Sequence, residues 1–206
     1  MSGARLAYAD PPYPGKAHLY PEQREVDHRE LIARLERDYD GWALSTDERA
    51  LAYVLSLCPP GVRVLAWCRS TAPPFNPQPY AAWEPVICSP ARVTQVRTTR
   101  SYHLSAADTG RHKRHALTGT KPSSFCTWVI ECLGAEQTDT LDDLFPGTGI
   151  MGDTFTAWCS QLQLPLLDNP KRSKRAAANI AARAAFPLPG LEPVRAMRER
   201  IFSGRT

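Results

Sequence analysis

The stretch "RLAYADPPYPGK", residues 5–16, decides how the chain is read. Its first half is a short apolar run that ends in an acid. Such a run, closed off by prolines, predicts a buried strand over 5–10 that delivers Asp10 to a turn. Pro11 and Pro12 fix the backbone there and remove two donors, so carbonyls are left pointing outward. Asp10 adds a carboxylate acceptor and Tyr13 adds a flat aromatic face. Two acceptors beside a flat face suit an amino group carried on a planar ring, since carboxylate and carbonyl can take its two hydrogens while Tyr13 stacks.

Downstream residues set this strand in a larger rhythm. Residues 14 to about 24 form a loop. Asp27 and Glu30 make a capping box for a helix with Leu31, Ile32 and Leu35 on one face. A second strand follows at 41–46. Ser45 and Glu48 suggest another capping box, for a helix with an Ala50, Leu51, Val54 and Leu55 stripe that stops at Pro59-Pro60-Gly61. A third strand is expected over 62–67. Strand, helix, strand, helix, strand argues for a mostly parallel α/β sheet with helices on both faces.

Beyond a proline-rich loop at 70–80, residues 82–89 ("AWEPVICS") form a fourth strand, with Pro85 suggesting a sheet edge. Residues 90–119 lose periodicity and read as a long loop or small insertion, a feature usually tied to function or disorder. A helix resumes at Pro122, with Phe125, Trp128, Val129 and Cys132 inward and Gly134 at its end. A fifth strand over 138–145 runs into Pro146-Gly147-Thr148-Gly149, followed by a helix to about Trp158. An alanine-rich helix over 173–186 and an amphipathic one carrying Leu191, Val194, Met197 and Ile201 close the chain.

The chain has 206 residues, enough for one cored domain with a tail. It is 43% hydrophobic and 22% charged, the composition of a soluble globular protein. No run approaches the ~20 apolar residues that span a bilayer, and no secretory leader opens the sequence. The six cysteines form no CxxC pair and have no histidine at metal spacing, so reduced thiols, a cytoplasmic setting and no metal are expected. The net charge of +4 hides an asymmetry: residues 92–121 carry seven Lys/Arg against Asp108, and 171–206 carry nine against Glu192 and Glu199. An acidic body with two basic segments points to a polyanion held against one region, or simply to a solvated loop and tail.

Both conspicuous turns follow strands, and in open α/β sheets ligands bind beyond the strands' carboxyl ends. In the second turn, Gly147 and Gly149 allow close backbone approach and the next helix offers free N–H groups. It lacks the third glycine of dinucleotide folds and the Gly-Lys-Ser/Thr of phosphate loops.

Asp10-Pro11-Pro12-Tyr13 resembles the catalytic motif of the amino methyltransferases, which methylate adenine N6 or cytosine N4 with S-adenosylmethionine (SAM). Asp143-Leu-Phe-Pro-Gly-Thr-Gly149 is similar to that family's Asp-x-Phe-x-Gly-x-Gly cofactor motif. Lys121-Pro122 is similar to its third cofactor-contacting segment, and "WEP" at 83–85 also recurs in it. The order, catalytic motif first, resembles the permuted beta-type arrangement, and short phage-type and messenger-RNA-enzyme-like adenine methyltransferases. Together the motifs span residues 5–158.

This resemblance implies a Rossmann-like SAM-dependent methyltransferase over 1–168, with a basic recognition loop at 90–120 and a basic helical extension at 169–206. It implies action on adenine N6 in DNA, aspartate at the first motif position favouring adenine over cytosine. RNA adenine N6, DNA cytosine N4 and a degenerate nucleic-acid-binding module remain alternatives. Asp10 and the Pro11 carbonyl would accept from the amino group, beside Pro12, and Tyr13 would stack on a flipped base. The cofactor pocket would be formed by Asp10, Lys121, Pro122, Asp143, Phe145, Gly147, Thr148 and Gly149. Residues 14–25 would be a loop that closes over the base. Arg97, Arg100, Arg111, Lys113, Arg114, Lys171, Arg172, Lys174 and Arg175 would contact phosphates. The family's ribose-binding acid has no counterpart at the end of a convincing strand, Asp168 being flanked by prolines.

Overall fold

A computed structural model describes residues 3–20, 24–69, 81–93, 99–105 and 121–163. Residues 1–158 form one compact unit, and a second begins at 159. The elements in chain order are β1 (Arg5–Ala9), a single 3-10 turn (Ala17–Leu19), α1 (His28–Asp38), β2 (Gly41–Ser45), α2 (Leu51–Leu57) and β3 (Arg63–Arg69). There follow β4 (Trp83–Ser89), β5 (Tyr102–Ser105), α3 (Ser123–Cys132), β6 (Thr140–Asp143) and α4 (Ile150–Gln163). The expected helices 173–186 and 191–201 lie outside the described residues.

The six strands form one sheet in the order β5-β3-β4-β2-β1-β6. β1 lies parallel to β2 and β6, and β3 parallel to β5, while β4 is antiparallel to both neighbours. Five strands thus run one way and β4 runs against them, which is the mostly parallel sheet expected. One result matters for the site. The edge that collects the carboxyl ends of β1, β2, β3, β5 and β6 also receives the amino end of β4, with Trp83 and Glu84.

Side chains alternate between the two sheet faces. Leu6, Tyr8, Ala43, Leu65 and Trp67 pack with Phe125, Trp128, Val129 and Met151 of α3 and α4. Ala7, Ala9, Trp42, Leu44 and Ile87 pack with Leu31, Ile32, Leu35 and Val54 of α1 and α2. Asp27 caps α1 as expected, accepting from Arg29 N at 2.9 Å and Glu30 N at 3.1 Å. Asp27→Ala should therefore lower stability by about 1 kcal/mol, read as a smaller urea midpoint at unchanged slope.

Three local expectations are corrected. Pro85 does not mark an edge, because β4 sits between β2 and β3. Its partner Ala66 sends its N–H to Ser101 O, so the missing proline donor faces β2. There the ladder is at its last rung, with Thr46 N donating to Pro85 O at 3.1 Å, and the lost donor costs one bond rather than a central ladder. Ser45 does not cap α2. It is the buried last residue of β2, its hydroxyl 2.9 Å from that of Tyr8, and Asp47 accepts from Ala50 N at 2.7 Å instead. Finally, residues 90–119 contain β5, which pairs with β3.

No helix among the described residues is long and apolar enough to cross a membrane. The six cysteines are thiols, two of them buried and four partly buried. Burial pushes Cys58 up to about 11 and Cys126 up to about 12, so these side chains behave as small apolar groups.

Candidate active site

Asp10 follows directly on β1, and Asp143 ends β6, the strand hydrogen bonded beside it. Leu144 N extends this pairing by donating to Tyr8 O at 2.9 Å. The two turns singled out from the sequence therefore leave neighbouring strands on one edge of the sheet. Burial raises the Asp143 carboxyl above the usual range, and the negative charge of Asp10 adds to the shift.

At the second turn, Gly147 (φ +49°) and Gly149 (φ +77°) are both left-handed, a conformation costly for residues with a Cβ. A Cβ at Gly149 would meet nothing within 4 Å, so glycine is required by the backbone and the space above it is open. Gly149 O accepts from Asp153 N at 3.1 Å, opening α4. Asp143 accepts from Phe145 N at 3.3 Å, which folds Phe145 back against the α1 side of the sheet. Thr148 is exposed.

The first turn is built around charge. Pro11 is buried, and Tyr13 O accepts from Lys16 N at 2.8 Å to close the bend. Lys121, on the residue before Pro122, reaches Asp10 Oδ2 with its ammonium at 2.8 Å. The same ammonium lies 3.4 Å from Glu84 Oε2 and 3.4 Å from the Tyr13 hydroxyl, and 5.4 Å from the centre of the Trp67 ring. Burial alone would lower the Lys121 pKa, but Asp10 and Glu84 outweigh it and the net shift is upward. The ammonium is thus a fixed charge in a nearly closed site, its side chain 7% exposed. Pro122 O accepts from Phe125 N and Cys126 N and so begins α3.

Tyr13 donates its hydroxyl to Glu84 Oε2 at 2.9 Å and lies 3.3 Å from Asp10 Oδ1. Burial and the charges of Asp10 and Glu84 raise the Tyr13 phenol well above its ordinary value, so it stays a neutral donor. The other Glu84 oxygen pairs with Arg69 at 3.2 Å. Lys16 holds the following loop down through Asp47 at 2.6 Å.

The structure thus brings together Asp10, Pro11, Tyr13 and Lys121 at one turn and Asp143 to Gly149 at the adjacent one. Lys121 points to Asp10 rather than to the glycines. Of the basic residues expected at phosphates, Arg100 is on the sheet's outer rim, donating to the Tyr102 hydroxyl at 2.7 Å. Arg97, Arg111, Lys113, Arg114, Lys171, Arg172, Lys174 and Arg175 lie outside the described residues, as does Asp168. Sequence reading assigned no role to Glu84 or Arg69. The available signal was Glu84 itself, the one charge in "AWEPVICS", since an acid in a buried strand needs partners.

No protein-family model matches the chain, and no curated protein matches it in sequence. Solved structures do match in fold. The SAM complex of M1.HpyAVI superposes with a TM-score of 0.54 at 16% identity, covering 76% of this chain and 79% of that one. M1.HpyAVI in a second structure gives 0.54 at 15% identity, with 76% and 77% covered. At such identity the likeness shows the fold alone, a Rossmann-like, mostly parallel α/β sheet.

Proposed function

We propose that this chain is a SAM-dependent methyltransferase acting on the N6 amino group of adenine in DNA. The observation that carries the reading is the juxtaposition of Asp10 and the Gly147–Gly149 bend at the ends of adjacent parallel strands.

The residues present suit the cofactor. Asp143 ends β6 with a carboxyl beside the glycine turn that can accept from the cofactor, and the left-handed glycines leave open space beside a helix start. Asp143, Phe145, Gly147 and Gly149 would hold it, with Thr148 and Pro122 at the rim. Bound there, SAM supplies an already activated methyl group, so positioning is most of the catalysis.

What the chain must then do is make a poor nucleophile reactive. The adenine amino lone pair is delocalised into the ring. Asp10 and the Pro11 carbonyl, accepting its two hydrogens, would pull them out of plane and restore lone-pair character. The nitrogen must also shed one proton, and Asp10 is the acceptor already in contact. Tyr13, pinned through its hydroxyl by Glu84, offers a ring of fixed orientation on which a flipped base can stack. Extruding that base costs a few kcal/mol, partly offset by the stacking. Arg97, Arg111, Lys113, Arg114, Lys171, Arg172, Lys174 and Arg175 would supply the phosphate contacts, which position without reading sequence, whereas Arg100 lies at the amino end of β5, away from the Asp10 edge. A methyltransferase domain over 1–168 carrying a basic extension over 169–206 belongs to this reading.

The test is transfer from labelled SAM to unmethylated duplex DNA, single-stranded DNA and single-stranded RNA, followed by nucleoside analysis. The expected product is N6-methyladenine in DNA. Label on N4 of cytosine or on RNA would redirect the assignment, and neither transfer nor SAM binding would reject it.

A further inference from the structure

The cluster at Asp10 raises a problem of acceptors. Two donors, the Lys121 ammonium and the Tyr13 hydroxyl, already stand against a carboxylate that must accept from an incoming amino group. Asp10 Oδ2 is taken by Lys121 at 2.8 Å. Among the described residues, Oδ1 receives only the Tyr13 hydroxyl, at 3.3 Å, a long contact for an O–H donor. That hydroxyl has its short bond elsewhere, to Glu84 Oε2 at 2.9 Å. Lys121 is likewise divided, lying 3.4 Å from the same Glu84 oxygen.

We infer that Glu84 is a positioning residue, which draws the Tyr13 hydroxyl and part of the Lys121 ammonium off Asp10 and so keeps Asp10 Oδ1 open to the substrate amino group. The inference rests on the proposed methyl transfer, but its structural half, the sharing of Lys121, stands apart from it.

Glu84 is placed for this by the reversed direction of β4, which brings an amino-terminal residue to the edge where the other strands end. It is itself fixed, Arg69 binding its second oxygen at 3.2 Å. Without Glu84 the two donors have one acceptor group left, Asp10, and both crowd it.

Glu84→Gln keeps the side chain's shape and removes its charge, and Glu84→Asp keeps the charge but shortens the reach to Tyr13. The full chain contains five lysines, so lysine labelled with 13C at Cε gives a simple spectrum in which Lys121 is identified by its loss in Lys121→Arg. We expect Lys121 to titrate at lower pH in Glu84→Gln than in the native chain, and near the native value in Glu84→Asp. We expect kcat for methyl transfer to fall roughly tenfold in Glu84→Gln, about one charge-assisted hydrogen bond, with KM for SAM changed less than about twofold. Unchanged Lys121 titration in a folded Glu84→Gln chain overturns the inference whether or not the native chain transfers methyl groups. Native kcat, or a loss confined to KM for SAM, overturns it as well. Absence of both transfer and SAM binding in the native chain, with the Lys121 shift as expected, rejects the adenine reading and leaves the sharing of Lys121 supported.

Discussion

Asp10→Asn is expected to leave the chain folded and able to bind SAM while lowering methyl transfer by about 10²–10³-fold or more, the size of loss when one preorganised polar group is taken from a reacting centre. The asparagine keeps one acceptor oxygen but adds an NH2 group. In this cluster that group would face the Lys121 ammonium and the Tyr13 hydroxyl, both donors. The side chain would turn its oxygen to Lys121, and its NH2 would then meet the substrate amino group, donor against donor. The charge that helps the nitrogen release its proton is gone as well. Lys121 remains balanced by Glu84, so the buried ammonium is not orphaned and the fold should survive. SAM affinity should change by less than about tenfold, one charge-assisted bond at most, because Asp143 and the glycine turn are untouched. Single-turnover transfer and calorimetric SAM binding separate the two effects. Equal losses in both would make Asp10 a cofactor residue or a structural one, and would remove the central role proposed for it.

Much of this site could be read from the chain because its main parts are local. Asp10 follows a short apolar strand, and the Gly147–Gly149 bend follows a short strand that ends in Asp143. Their meeting follows from the rule that parallel strands deliver their turns to one edge. Asp27 could be recognised as a cap because it precedes a helix with an unambiguous apolar stripe. What escaped was relative direction. The residue types of "AWEPVICS" mark a strand but carry no direction relative to its neighbours, so nothing local says that Glu84 enters the edge where the others leave. Pro85 misled for the same reason, since its cost depends on which neighbour its nitrogen faces. Ser45 reads locally as a cap, and a tertiary contact, the hydrogen bond between Ser45 and Tyr8, holds it in β2 instead. β5, four residues with a half-exposed pattern, had too short a period to register.

The register of the two site-bearing strands depends on one buried carboxylate at the opposite end of the sheet, which leads to a large expected loss of stability. Asp139 precedes β6, and its side chain has no exposed surface. It accepts from Ala4 N at 2.7 Å and Glu136 N at 2.8 Å, and takes Arg92 in a two-pronged pair at 2.6 and 2.9 Å. Ala4 immediately precedes β1, so Asp139 ties the start of β1 to the start of β6 and fixes Tyr8 opposite Asp143 at the far end. Burial by itself would raise this carboxyl, but Arg92 and the two backbone donors outweigh it and the pKa is lowered. A carboxyl depressed on folding adds stability at pH above its unfolded value, about 3.9, and loses it as pH falls through the folded value. Asp139→Asn leaves backbone donors and a guanidinium short of an acceptor. The cost expected at pH 7 is about 3 kcal/mol, the low end for breaking a buried ion pair because Arg92 is partly exposed. Urea unfolding of the native chain and the variant should show that gap at pH 7 and a narrowing gap below about pH 4, where the carboxyl of the unfolded chain takes up a proton that the native one still resists. A gap of the same size at both pH values would mean that shape, and not charge, holds this corner. The variant should also lose methyl transfer ahead of global unfolding, since a slip between β1 and β6 parts Asp10 from the glycine bend before it exposes the core.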